Sequence, residues 1–178
     1  MSPGFQPIRV MKLRIEHTFA VPPAEYARIY FEESFNEAMG AAVKVGRTLL
    51  RLERTPARVF RQVRCEPERD LPAPIAKMLA GRRFHYLEEI DFDLTKRAGS
   101  WRVVPSVVPE KVTAGGALAF EPVTAGTKRV VSGAVDVHAF GIGTLIERFV
   151  VADVQRSYDQ VAAFTRDFLA SVRPSART

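Results

Sequence analysis

Leu13, Ile15, His17 and Phe19 alternate with Lys12, Arg14, Glu16 and Thr18, the period of two that marks a half-buried strand. Val21-Pro22-Pro23 ends it. Pro23 suits the first turn of a helix, and Tyr26, Ile29, Tyr30 and Phe35 predict helix over 24–38, broken near Ser34 and stopped at Gly40. Val43 to Arg54 and Ala57 to Glu66 read as two strands joined at Thr55-Pro56. Residues 67–83 hold Pro67, Pro72 and Pro74, then about two helical turns from Ile75 that end at Gly81. An excursion of that length between strands suggests a lid or rim. From Phe84 to Leu94, Phe84, Tyr86, Ile90, Phe92 and Leu94 share one face, and His85, Leu87, Glu89, Asp91 and Asp93 the other. Ser100–Val108, Lys111–Pro122 and Lys128–Phe140 complete the strands, with Gly115-Gly116 expected to mark a bulge or a close contact.

The last long segment, Gly143 to Val172, has no proline and no internal glycine. Thr144 and Glu147 have the spacing of a capping box. Ile146, Val150, Val154, Val161, Phe164 and Phe168 fall on one line of a helix, widened by Tyr158, Ala162, Leu169 and Val172. Arg148, Asp153, Gln155, Arg156, Asp159, Gln160, Arg166 and Asp167 take the other side. The apolar arc spans roughly 160°, wider than the ~100° a surface helix needs. Such a helix runs roughly 42 Å, longer than any strand here, so it is expected to lie across a sheet and to end at Pro174. Strands in hairpin succession predict an antiparallel sheet, which strong twist can curl around one long helix. The expected fold is therefore α+β: a curved antiparallel sheet of about seven strands wrapped around a long C-terminal helix, with two short helices after the first strand. Residues 1–10 and 174–178 read as tails flanking one domain over 11–173.

Composition narrows the function classes. With 178 residues, 47% apolar and 26% charged, the chain suits one soluble domain with a full core. No apolar run approaches the ~20 residues of a membrane span, and MSPGFQPIRV lacks a signal pattern; no integral membrane association and a cytoplasmic location are the expectations. A single cysteine, Cys65, excludes an internal disulfide and most thiolate metal sites, and its strand context suits a small core hydrophobe. The net charge of +6 raises the question of nucleic acid. Its densest basic stretch, Arg47 to Arg69, alternates with apolar residues as on the solvated face of a hairpin. No aromatic platform interleaves with it, so no nucleic-acid partner is expected. His17, His85 and His138 share no ligand spacing, and Gly141-x-Gly143 reads as a bend, not a dinucleotide fingerprint. No metal or other cofactor is expected.

The chain resembles the START-like, or SRPBCC, superfamily, the helix-grip fold of the birch-pollen allergen type and of polyketide cyclases. The resemblance rests on KLRIEHTF (Lys12–Phe19) with the following VPPAEYARIYF, on SWRVVP entering KVTAGGALAF, and on SGAVDVHAFGIGTLIERFV (Ser132–Val150). The last of these, through its Gly-x-Gly-x-x-Ile-Glu, is similar to an uncharacterised bacterial branch. The resemblance covers 11–172 and implies a cavity between helix and sheet, commonly used for a hydrophobic small molecule.

Polar residues in inward registers become informative if the sheet closes on the helix, because an unpartnered buried polar group costs about 1–3 kcal/mol. His17 lies between Ile15 and Phe19, Glu88 between Tyr86 and Ile90, and Arg61 between Val59 and Val63. Each is either a satisfied internal partner or a group that orients a ligand. The candidate ligand-binding set is His17, Tyr86, Glu88, Ile90, Trp101, Val150, Val154, Ser157 and Val161, with the Tyr158 hydroxyl nearby; Trp101 also suits the core. The leading expectation is a carrier or sensor of a lipid- or polyketide-like molecule. A His17–Glu88 pair acting as base and orienting carboxylate would instead suit a cyclase or aromatase. A third possibility is an interaction module with a filled interior.

Overall fold

The structure, a computed structural model, describes residues 11–68, 70, 71, 73–138 and 143–172, with backbone alone at 74, 75, 78, 143–151 and 153. Seven strands form one antiparallel sheet: β1 (Met11–Phe19), β2 (Val45–Arg54), β3 (Arg58–Pro67), β4 (Tyr86–Asp93), β5 (Ala98–Pro105), β6 (Val112–Val123) and β7 (Gly126–Val137). Their order is β1-β7-β6-β5-β4-β3-β2. Strands β2 to β7 are successive neighbours, and β1 joins the far edge by pairing with β7 from Met11–Val135 to Phe19–Thr127. Helices α1 (Pro23–Tyr30) and α2 (Glu33–Val43) follow β1, α3 (Ala73–Leu79) interrupts the path from β3 to β4, and α4 (Gly143–Val172) follows β7. This is the expected α+β helix-grip architecture. The tails, Gly141 and Ile142 of the expected bend, the Thr144 and Glu147 side chains and Pro174 lie outside the described residues.

Two expectations about the helical pair are corrected. The chain turns at Phe31-Glu32, not near Ser34. The carbonyls orphaned at the end of α1 find side-chain donors there: Tyr30 O accepts from Arg61 Nη1 at 3.0 Å, and Phe31 O from Arg54 Nη2 at 2.8 Å. These cations also oppose the partial negative charge of the helix end. Gly40 does not stop α2, which runs on to Val43 and ends where Lys44 takes a left-handed backbone, φ 55°. Gly40 permits a close approach instead, since a Cβ there would fall 2.7 Å from Val45 O at the start of β2.

Gly115-Gly116 marks no bulge. β6 pairs in unbroken register with both neighbours, and a register shift falls instead between Leu49 and Arg51 on the β2 edge. The glycines mark the close contact: a Cβ on Gly116 would fall 2.0 Å from Ser132 O, and one on Gly115 3.0 Å from Trp101 O. Register places Ile90, Trp101, Gly116, Gly133 and Leu13 in one row across the sheet. A Cβ on Gly133 would come within 2.7 Å of Trp101 Cζ2. The indole lies over this bare stretch and donates from Nε1 to Ser132 O at 3.1 Å.

One end of the space between sheet and helices is packed with rings. The Phe120 centroid is 4.6 Å from Phe92, 4.8 Å from Tyr26 edge-on and 5.2 Å from Tyr30. Helix α4 packs against β1, β7 and α2. Phe35 of α2 meets Phe164 and Phe168, while Ala162, Thr165 and Leu169 are buried. Of the apolar line read from the sequence, Val154, Tyr158, Val161, Ala162, Phe164, Phe168 and Leu169 pack into the core. Val172 is exposed, and the side chains of Ile146 and Val150 lie outside the described residues. Among the described residues no helix is long and apolar enough to cross a membrane.

Candidate functional site

The other end is hollow. A cavity of about 250 Å³ lies between α4 and the inner face of the sheet. Ile90, Trp101, Val103, Ala114 and Val135 wall it from the strands, and Val154, Ser157 and Val161 from the helix. Pro67 at the end of β3, and Leu71, Phe84, Val107 and Val108 from the connecting segments, also line it. Val108 holds a left-handed backbone at φ 42°, a conformation that strains a β-branched residue. An apolar cavity of roughly 150 Å³ accepts benzene, so this one has room for a larger guest.

Its polar wall is built from β2, β3 and β4. Glu88 Oε1 accepts from Arg47 Nη2 at 2.7 Å and from Arg61 Nη2 at 3.4 Å. Arg47 also reaches Asn36 Oδ1 and the Cys65 sulfur. The arginine side chains are 7% and 3% exposed, that of Glu88 22%. Burial is the largest single influence on the Glu88 carboxyl and pushes its pKa up, but Arg47 and Arg61 together outweigh it and hold the group below the usual carboxylate range. Glu88 is therefore ionised at neutral pH. Burial pushes the Cys65 thiol up to about 12, which makes it a core residue and not a nucleophile.

The structure does not bring His17 and Glu88 together. Glu88, Tyr86, Ile90, Trp101, Val154, Ser157 and Val161 line the cavity; His17 does not. The Val150 side chain lies outside the described residues. His17 Nδ1 stands 3.2 Å from Arg129 Nη2 and its Nε2 stands 2.9 Å from Asp159 Oδ1 on α4. Arginine can only donate, which fixes the tautomer: Nδ1 accepts from Arg129, and the Nε2 proton is donated to Asp159. The lone pair a general base would use is occupied. Arg129 itself is buried between the rings of Phe19 and Tyr158, 5.2 and 5.3 Å from their centroids.

This arrangement gives a pH signature. Burial, opposed by the Asp159 hydrogen bond and reinforced by the Arg129 and Arg166 charges, lowers the His17 pKa below its ordinary 6.5. The unfolded chain then takes up the proton first as pH falls, so the contribution of His17 to stability is complete above 6.5 and is lost as pH drops through the folded value. The Tm of the native protein is expected to fall in that window more than that of His17→Gln. Parallel Tm–pH curves for the two proteins would remove His17 as the cause.

The inward placement of two charged cavity residues, Arg47 and Arg129, is not apparent from the sequence reading, and the reading of the basic stretch is corrected. The 47–69 arginines are not all on a solvated face. Arg51, Arg58 and Arg64 are, paired with Glu53, Asp91 and Glu66, but Arg47 and Arg61 turn inward because they share the register of Val45 and of Val59 and Val63. Arg129 follows the same rule, in register with Val131 and Val135. An arginine embedded in an alternating valine run was the available signal.

A seven-stranded sheet gripping one long helix, hollow at one end, is a helix-grip fold. The chain belongs to the family described as "Protein of unknown function (DUF2505)", which matches residues 14–169. No curated protein is similar in sequence. In structure the chain is similar to the Zhui aromatase/cyclase from Streptomyces sp. R1128, with 14% identity, TM-score 0.64, and coverage of 96% of this chain and 100% of that one. It is also similar to TTHA0849 from Thermus thermophilus, at 17% identity, TM-score 0.63, and coverage of 92% and 100%. Ara h 8.0201 matches at 15% identity and TM-score 0.55, over 88% of this chain and 97% of that one. At these identities the likeness concerns the fold.

Proposed function

We propose that this protein binds a hydrophobic small molecule, lipid- or polyketide-like, between α4 and the sheet, as a carrier or sensor. The observation that carries this reading is the 250 Å³ cavity with its mostly aliphatic and aromatic wall. A concave apolar site with a few polar groups is the usual form of a small-molecule site. A space of that size left open against a core otherwise packed with rings also disfavours the filled-interior reading. The catalytic reading loses its base, because the Nδ1 lone pair of His17 accepts from Arg129.

Extraction of the purified protein with solvent, and native mass spectrometry before it, tests the proposal through a co-purifying apolar compound. Ala114→Trp supplies the control. Ala114 lines the cavity between Val103 and Val135, so an indole there fills the space a guest needs. The variant is expected to lose the compound, and to bind 2-naphthol at least tenfold more weakly, while remaining folded by circular dichroism. Equal occupancy in the native and Ala114→Trp proteins would place the ligand elsewhere and end this reading.

A further inference from the structure

The three arginines on the cavity wall suggest an acidic ligand, but their exposure decides otherwise. Arg47 and Arg61 are 7% and 3% exposed at their side chains, and Arg129 is 1% exposed as a residue. Arg61 is occupied with Tyr30 O and Glu88, and Arg129 lies between two aromatic rings. Glu88 keeps 22% of its side-chain surface, and it lines the cavity. Both arginine contacts go to Oε1. Among the described residues Oε2 has no hydrogen-bond partner, and it is not fully buried. Of the four charged groups lining this cavity, the carboxylate is thus the most exposed. An ionised carboxylate can only accept, and two arginines keep it from becoming a donor.

Four further hydroxyl-bearing residues line the same cavity, Tyr30, Tyr86, Ser157 and Tyr158. Arg61, which contacts Glu88, lies 5.2 Å from the Tyr30 ring centroid, and Arg129 lies 5.3 Å from that of Tyr158, so these charged groups and the two tyrosines share one wall. Unlike Glu88, a tyrosine hydroxyl can accept from or donate to a guest. From this geometry, and resting on the small-molecule reading above, we infer that the ligand is a neutral hydrophobe carrying a hydroxyl, an alcohol or phenol, whose O–H is donated to Glu88 Oε2, and that carboxylic acids are turned away by the same oxygen. A site that holds out a buried acceptor discriminates strongly against analogues lacking the donor, because filling it then leaves the acceptor unpaired. A ligand carboxylate would add like-charge repulsion at low dielectric.

Isothermal titration of the native protein with three probes of one shape tests this: 2-naphthol, 2-methoxynaphthalene and 2-naphthoate. The expected order places 2-naphthol at least tenfold tighter than either of the others. In Glu88→Gln its advantage over the methyl ether should shrink below threefold, and 2-naphthoate should gain at least fivefold as the repulsion disappears. The comparison on native protein needs no variant, so instability of Glu88→Gln leaves the test intact. If the methyl ether binds native protein as tightly as 2-naphthol, or 2-naphthoate binds more tightly, the hydroxyl assignment is overturned while the small-molecule reading stands. Failure of all three to bind overturns both.

Discussion

Glu88→Ala is expected to lower the free energy of unfolding by about 3–5 kcal/mol, the usual consequence of stripping the partner from buried charges. Arg47 and Arg61 have side chains 7% and 3% exposed, and among the described residues Glu88 is the one carboxylate within ion-pair distance of either. Removing it leaves two cations at the edge of an apolar cavity, with the Nε of each already lacking a hydrogen-bond partner. Urea unfolding at pH 7 measures the loss, and a change below about 1 kcal/mol would mean that the arginines find water or another acceptor. Acidity should reproduce part of the effect. Folding lowers the Glu88 pKa from its ordinary 4.5, so the unfolded chain is protonated first. The stabilisation is complete above that value and is lost as pH falls through the folded one.

Phe120→Ala is expected to cost a similar amount, about 3–5 kcal/mol, for a different reason. Its ring is fully buried, touches Tyr26, Tyr30 and Phe92, and leaves a void its neighbours cannot close without breaking their own ring contacts. The informative comparison is Val161→Ala on α4, which faces the existing cavity. There the deleted methyls already have empty space on one side, and the expected cost is about 1–1.5 kcal/mol, close to transfer of the atoms alone. Thermal or urea unfolding of both variants measures the contrast. Equal losses would indicate that the interior is packed to the same density at both ends.

How much of this was legible in the sequence depends on which rule each residue obeys. Alternation of the Leu13–Phe19 kind and the long arc of α4 follow from burial of one face, and both led to the fold. Gly40 misled because a glycine at a helix end has two uses: permitting a left-handed turn, or permitting close approach. Here Lys44 takes the turn and Gly40 the approach. Trp101 and its bare row of Gly116 and Gly133 could not be paired from sequence, since the row crosses three strands and appears only once register is known. His17 and Glu88 were both placed on the inward side, yet the row each occupies fixes its partners. His17 faces Arg129 across β1 and β7, whereas Glu88 is opposite Val63 and Val103 and reaches diagonally to Arg47 and Arg61. Arg47 was misread because the general expectation that arginine faces solvent outweighed its valine register.

The turn at Val108 bears on kinetics. A branched side chain held at φ 42° stores on the order of 1–3 kcal/mol, and this residue lines the hollow. At the opposite side, Phe35, Phe164 and Phe168 clamp α4 onto α2, so lifting the helix would break ring contacts first. On the small-molecule reading proposed above, a guest is expected to leave by displacing the strained turn at Val108 before the helix lifts, and a Val108→Gly variant with unchanged release kinetics would count against that route.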